Sequence, residues 1–152
     1  MGMGGMGGAG SPDPTLEKLF LSKEVDVRQK VAAALDRLDD KDPRVRSYGA
    51  EVLGRLGADA ATAVPALTEL LRDQDAGVRG RAAGALGNLG TRAKSAVPRL
   101  AELLQDQDVR GSATWALGQI GPEAKDAIPA LAELLQDDRY HVRAFAARAL
   151  GK

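Results

Sequence analysis

A chain of 152 residues can form one domain with a sizeable core, and its 21 Lys and Arg balance its 21 Asp and Glu. That neutrality lacks the basic excess of nucleic-acid and acidic-membrane binders, so neither is expected as a partner. With no Cys and a single His, disulfides, thiolate metal sites, a Cys nucleophile and a multi-His metal centre within the chain are excluded, and no cofactor is expected.

In chain order, residues 1–11 come first. They are Gly- and Met-rich and are expected to form a disordered tail. They lack the basic start and apolar block of a secretory signal. No stretch of the chain reaches the length of an apolar membrane span, so a cytoplasmic location is expected. The segment PTLEKLFLS follows, with Leu16, Leu19 and Phe20 on one face of a short helix. Residues 12–25 are therefore expected to cap what comes next.

From residue 26 onward the chain repeats itself. Val64-Pro65-Ala66-Leu67 returns as Val97-Pro98-Arg99-Leu100 after 33 residues and as Ile128-Pro129-Ala130-Leu131 after 31 more. In phase with it, Val45-Arg46 returns as Val78-Arg79, Val109-Arg110 and Val142-Arg143, and Leu53-Gly54 as Leu86-Gly87, Leu117-Gly118 and Leu150-Gly151. A step of 33 back from Val64 lands on Val31 in VAAALDRL, which fits the same slot without its Pro. Four units result, spanning 26–57, 58–90, 91–121 and 122–152. Each reads as two helices. The first is marked by Val64, Leu67, Leu70 and Leu71, the second by Val78, Ala82, Ala85, Leu86 and Leu89. Thr62, Ser95 and Asp126 are expected to cap the first helices, and Gly57, Gly90 and Gly121 to end the second ones in a left-handed conformation. The turn from Asp106 to Val109 is two residues shorter than that from Asp73 to Val78. This predicts a local change of tilt without a break.

One such pair has an apolar face it cannot bury alone, and stacking neighbours close the core. The pattern VPALxELLxDxDxxVRxxAAxALGxLG, clearest from Val64 to Gly90, resembles the HEAT-like repeats of the phycobilin-lyase type found in many bacterial proteins. The resemblance covers roughly residues 26–151. It implies an all-α fold, an α-solenoid coiled as a right-handed superhelix of four HEAT-like helix pairs with an N-terminal capping helix. It also implies that the Asp in each turn (Asp40, Asp73, Asp106, Asp137) and the Arg after each Val (Arg46, Arg79, Arg110, Arg143) join successive units as a ladder. Read instead as a phosphate-binding row, the four Arg would be opposed by the matching Asp. The iron-binding branch of helical-repeat enzymes carries His-Glu pairs, whereas His141 here precedes Val142. The DNA glycosylase branch uses a basic face that this neutral chain lacks. No residue matches a lyase motif, which leaves a bilin-lyase accessory subunit as an alternative role.

Positions that repeat in type build the fold, and positions that vary are free for function. Three and six residues after each repeat Val, side chains on the second helix point away from the core. In HEAT-like solenoids these helices line the concave side. The stripe holds Tyr48 and Glu51, Arg81 and Gly84, Ser112 and Trp115, and Phe145 and Arg148, continuing through Arg55, Asn88 and Gln119. A surface of aromatic, Arg and amide groups suits a protein or peptide partner. The reading is a non-catalytic protein-binding scaffold, with Trp115 as principal anchor or, alternatively, packed over Gly84 as filler. The exposed acids Glu69, Glu102 and Glu133 read as a solvated face. The last unit keeps the ordinary apolar pattern at Ile128, Leu131, Leu134 and Leu135, then Val142, Ala146, Ala149 and Leu150. Within this chain no polar helix covers it. That end is expected to pack on a second copy, giving a homo-oligomer or structural module, or to continue into further repeats.

Overall fold

The repeat predicts helix pairs, and the computed structural model, which describes residues 10–151, is built from them. The tail expected over residues 1–11 falls mostly outside the described residues. A short helix, α1 (Pro14–Leu21), precedes four pairs: α2 (Val27–Leu35) with α3 (Pro43–Leu56), α4 (Val64–Leu70) with α5 (Ala76–Leu89), α6 (Val97–Glu102) with α7 (Arg110–Ile120), and α8 (Ile128–Glu133) with α9 (Tyr140–Leu150). No strand occurs among the described residues.

Aspartates start most of the early helices. Asp13 accepts from the Leu16 N–H at 2.9 Å and Asp42 from that of Arg44 at 2.8 Å. Asp75 accepts from Val78 N–H at 3.0 Å. Asp26 and Gln29 form a reciprocal capping box at the start of α2. Thr62, Ser95 and Asp126 do not cap. They are exposed within short 3₁₀ runs, Gly57–Ala63, Gly90–Ala96 and Gly121–Ala127, and α4, α6 and α8 begin without a side-chain cap. The residue ahead of each helix, such as Ala63 at φ −85°, ψ −5°, is already helical. The turn before it therefore satisfies N–H groups that a cap would otherwise serve. Gly57, Gly90 and Gly121 do take positive φ (62°, 59° and 78°), but with ψ of −134°, −134° and −139°. That is an extended mirror-image region open essentially to Gly, not a left-handed helical turn. It reverses the chain sharply from each second helix into the next 3₁₀ run.

The core is a continuous seam of Leu, Val and Ala. Leu53, Leu67, Leu86, Leu100 and Leu104 are fully buried. The recurring Leu-Gly has a steric reason. A Cβ on Gly54 would lie 2.9 Å from Ala85 Cα, one on Gly87 3.0 Å from Ala116 Cα, and one on Gly118 3.5 Å from Ala149 Cα. Successive second helices meet backbone to backbone at these positions.

The ladder forms three rungs, each 27 residues long in sequence. Arg46 is bidentate on Asp73 (Nε 2.8 Å, Nη2 2.9 Å), Arg79 donates from Nε to Asp106 at 3.0 Å, and Arg110 from Nη1 to Asp137 at 2.5 Å. Each Arg also donates to carbonyls in or beside its own turn, for example Arg79 Nη1 to Asp73 O at 2.8 Å. It thus ties its own unit to the next. The shortened turn leaves these links intact on both sides. Asp108 N–H still closes on Asp106 Oδ1 at 3.0 Å, as Asp75 N–H does on Asp73 at 2.9 Å. The missing residues are the first two of the helix, so α7 begins one residue after its repeat Val while α5 begins two before.

Two measurements test this frame. Leu86→Ala should destabilise by ~2–5 kcal/mol, as buried Leu truncations do, read by denaturant unfolding. The ladder should also make stability acid-sensitive. The Asp137 carboxyl is lowered from 3.8 to about 2 by the Arg139 N–H and the Arg110 and Arg139 side chains. Burial raises that of Asp73, but hydrogen bonds from Arg46 and the Asp75 N–H outweigh it and hold it low. Both groups bind protons more readily in the unfolded chain, so the stability they confer is present above 3.8 and lost as the pH falls toward about 2. Melting temperature followed across that window should drop, and Asp137→Asn should lower it at neutral pH and flatten the acid limb.

Candidate functional site

The varying positions of the second helices fall on one side of the stack. Glu51 and Arg55 from α3, Arg81 and Asn88 from α5, and Ser112 and Trp115 from α7 line a single groove of about 940 Å³. Tyr48 joins Glu51 and Arg81 around an adjoining hollow of about 370 Å³, and Phe145 joins Ser112 and Trp115 around another of about 340 Å³. Gln119 and Arg148 are exposed on α7 and α9 and line none of these three.

Three departures from the repeat open the groove. The first is glycine on α5. Gly77 and Gly84, where the other units carry side chains, line it together with Gly80, which recurs as Gly111, and a Cβ on Gly84 would meet nothing within 4 Å. The second is the late start of α7, which brings Asp108 and Val109 to the wall where other units have a half-turn of helix. The third is Trp115. Its indole does not pack over Gly84. It lies over Gly87, whose Cβ would come within 2.5 Å of Cζ3, and stays half-buried with the rest of its surface toward the groove. The absent side chain of Gly87 therefore holds Trp115, and that of Gly84 leaves space beside it.

Charge here is paired but loosely. Glu51 sits 3.7 Å from Arg55 and 3.5 Å from Arg81, and both Arg are about half exposed. The Arg55 guanidinium lies 4.8 Å from the centre of the Phe20 ring, which ties this end of the groove to α1. Burial raises the Tyr48 phenol above its usual value, while a hydrogen bond with Ser11 opposes it. Tyr48 is thus partly engaged with the segment leading into α1. Phe145 makes an edge-on contact with His141, with ring centres 6.2 Å apart. Glu69, Glu102 and Glu133 are exposed on the first helices.

Sequence reasoning missed Gly77, Gly80, Asp108 and Val109 as groove residues. The signal was available. Four Gly at 77, 80, 84 and 87 inside one helix each cost about 1 kcal/mol of helix propensity, which asks for a reason.

The model of HEAT repeats matches residues 31–113 and again 97–152, and the chain belongs to the HEAT-repeat family. No curated protein sequence matches it significantly. Among solved structures, an engineered protein is 26% identical and superposes with a TM-score of 0.70 over 89% of this chain and 70% of that one. The complex of CpcE and CpcF of phycocyanin lyase from Nostoc sp. PCC7120 is 24% identical, with a TM-score of 0.71 over 89% of this chain and 86% of that one. A designed armadillo repeat protein in complex with the peptide (KR)4 is 20% identical, with a TM-score of 0.71 over 98% and 83%. The fold is that of helical-repeat solenoids.

The Trp115 contact can be checked directly, since it is the only Trp in the chain. Gly87→Ala drives a methyl into the indole and against Ala116 Cα. It should destabilise by ~1–3 kcal/mol and shift the emission of Trp115 to the red, read by fluorescence and thermal melts.

Proposed function

We propose that the chain is a non-catalytic protein-binding scaffold that holds a peptide segment or loop of a partner along the concave side of its second helices. The observation that carries this reading is the groove. It arises where the repeat is broken, at the α5 glycines and the α7 start, and a half-buried Trp stands beside it. Fold maintenance alone calls for none of these departures, because neighbouring units do without them. Tyr48, Glu51, Arg55, Arg81, Asn88, Ser112, Trp115, Phe145 and, further out, Gln119 and Arg148 are the proposed contact residues. Aromatic and Arg side chains at the edge of a recess are the groups that anchor partners most strongly. The likeness in fold to a designed repeat protein that holds a peptide supports the same use of the surface.

The test separates binding from folding. Peptides selected from a random display library on the intact chain should alter Trp115 emission on binding. Trp115→Ala and Phe145→Ala should weaken them at least tenfold while helix content stays unchanged. Gly84→Leu is the sharper probe. Its side chain enters open space, so the helix should hold or gain stability while the groove is filled and binding is lost. Peptides that bind Gly84→Leu as well as the parent chain would end the groove reading.

A second reading is favoured by a separate observation. On the last pair, Ile128 is 47% exposed and Leu135 39%, whereas their counterparts Val64, Val97, Leu71 and Leu104 are buried. This end is proposed as an assembly surface. Among the described residues no helix is long and apolar enough to cross a membrane.

A further inference from the structure

The hollow of about 340 Å³ at α7 and α9 is a branch of the groove, because Gly84, Asp108, Ser112 and Trp115 line both. Phe145 and His141 of α9 complete it. His141 packs beside Gly111 of α7, where a Cβ would meet its Cδ2 and Nε2 at 3.6 Å, and its ring stands edge-on to Phe145. The volume lies at the low end of the range for ligand pockets. It suits one long side chain, not a length of backbone.

Asp108 and Arg139 both line this hollow, and they differ in how firmly they are engaged. Arg139 donates from Nη1 to Gln107 O at 2.9 Å and pairs through Nε with Asp137 at 3.3 Å. The ion pair of Asp108 among the described residues is a 3.8 Å approach to Arg79 Nη2, and its side chain is 71% exposed. That Arg is already held by Asp106 at 3.0 Å and by the Asp73 and Gln74 carbonyls. A loosely paired carboxylate beside two aromatic rings attracts a cation, through its own charge and through the negative ring faces. An anion would have to compete with Asp137 for Arg139 while facing Asp108. The combination occurs once in the repeat. The positions aligned with Trp115 hold Glu51, Gly84 and Arg148, and those aligned with Asp108 hold Arg44, Gly77 and His141.

We propose that this hollow is the subsite for a basic side chain, an arginine or lysine of the bound peptide, with its cation against the rings of Trp115 and Phe145 and paired to Asp108. The proposal rests on the groove reading for the rest of the peptide and names the chemistry of one partner position.

Titration of the intact chain with Nα-acetyl-arginine methylamide at constant ionic strength, followed by nuclear magnetic resonance, tests it. Trp115 supplies the single tryptophan indole N–H signal, and its shift should saturate. The citrulline analogue keeps the shape without the charge and should bind about tenfold more weakly. Asp108→Asn should weaken the arginine probe to a similar degree, and Phe145→Leu by about fivefold. Circular dichroism of each variant establishes that the fold is kept. An indole signal that the arginine probe does not move overturns the proposal. So does equal binding of the two probes, or an unchanged affinity in Asp108→Asn. Tighter binding of Nα-acetyl-glutamate methylamide also overturns it and makes the hollow an anion site at Arg139. The groove reading is judged separately, on the library-selected peptides. If these bind and are lost in Gly84→Leu but carry no basic residue, and the arginine probe fails, the groove stands and the cation subsite falls. If the arginine probe saturates with the expected charge dependence while no peptide is held, the subsite stands and the groove reading falls.

Discussion

Successive second helices approach until their backbones touch, and the rest of the structure follows from that distance. Gly54 and Gly87 leave no room for a side chain against Ala85 and Ala116, and Gly118 would admit only a methyl in contact with Ala149. Helices that close can be glued by Ala, Val and Leu, which explains how a chain with only 3% aromatic residues buries a continuous core. The same spacing brings each turn within reach of the Arg one unit back. The ladder of Arg46, Arg79 and Arg110 is therefore a consequence of the close stack as well as a clamp upon it. The contact is loosest at the last pair, where Gly118 faces Ala149 at ordinary van der Waals range.

A solenoid made of identical units would present an even surface. Here the surface is uneven where units differ, and the differences gather at the second and third. Glycine replaces side chains along α5, α7 loses its first two residues, and Trp115 occupies the step between them. Trp115 packs over Gly87 instead of Gly84 and is the proposed anchor for a partner. One edge of the indole fills the space above Gly87, which belongs to the fold. The remainder stays half-exposed beside the open space at Gly84, where a ligand could meet it. A rigid aromatic held this way loses little conformational freedom on binding, which is why such residues anchor interfaces.

The two ends of the stack differ in kind. At the first pair, α1 covers the apolar face, Asp13 engages Arg37, and Phe20 carries the guanidinium of Arg55. At the last pair, residues that are core elsewhere meet solvent, and an Arg built for a rung ends on its own turn.

Most of the fold was legible in the sequence. Repetition in register set the helix pairs, the buried Leu53, Leu86 and Leu117 (their counterpart Leu150 is only partly buried), the positive φ of Gly57, Gly90 and Gly121, and the pairing of turn Asp with repeat Arg, because these depend on period and on residue type. The capping role given to Thr62, Ser95 and Asp126 was misplaced. A side-chain cap matters only where N–H groups are otherwise unsatisfied, and whether the preceding turn already serves them is a matter of backbone conformation. The groove was half legible. Its polar and aromatic residues sit at the expected spacing on the second helices, but its existence depends on what is missing, at Gly84 and at the start of α7. Absent side chains leave no pattern that names their neighbour. That the indole of Trp115 rests on Gly87 and not on Gly84 was decided by the tertiary structure alone, because it turns on the axial offset between two packed helices, a distance that no spacing along one chain contains.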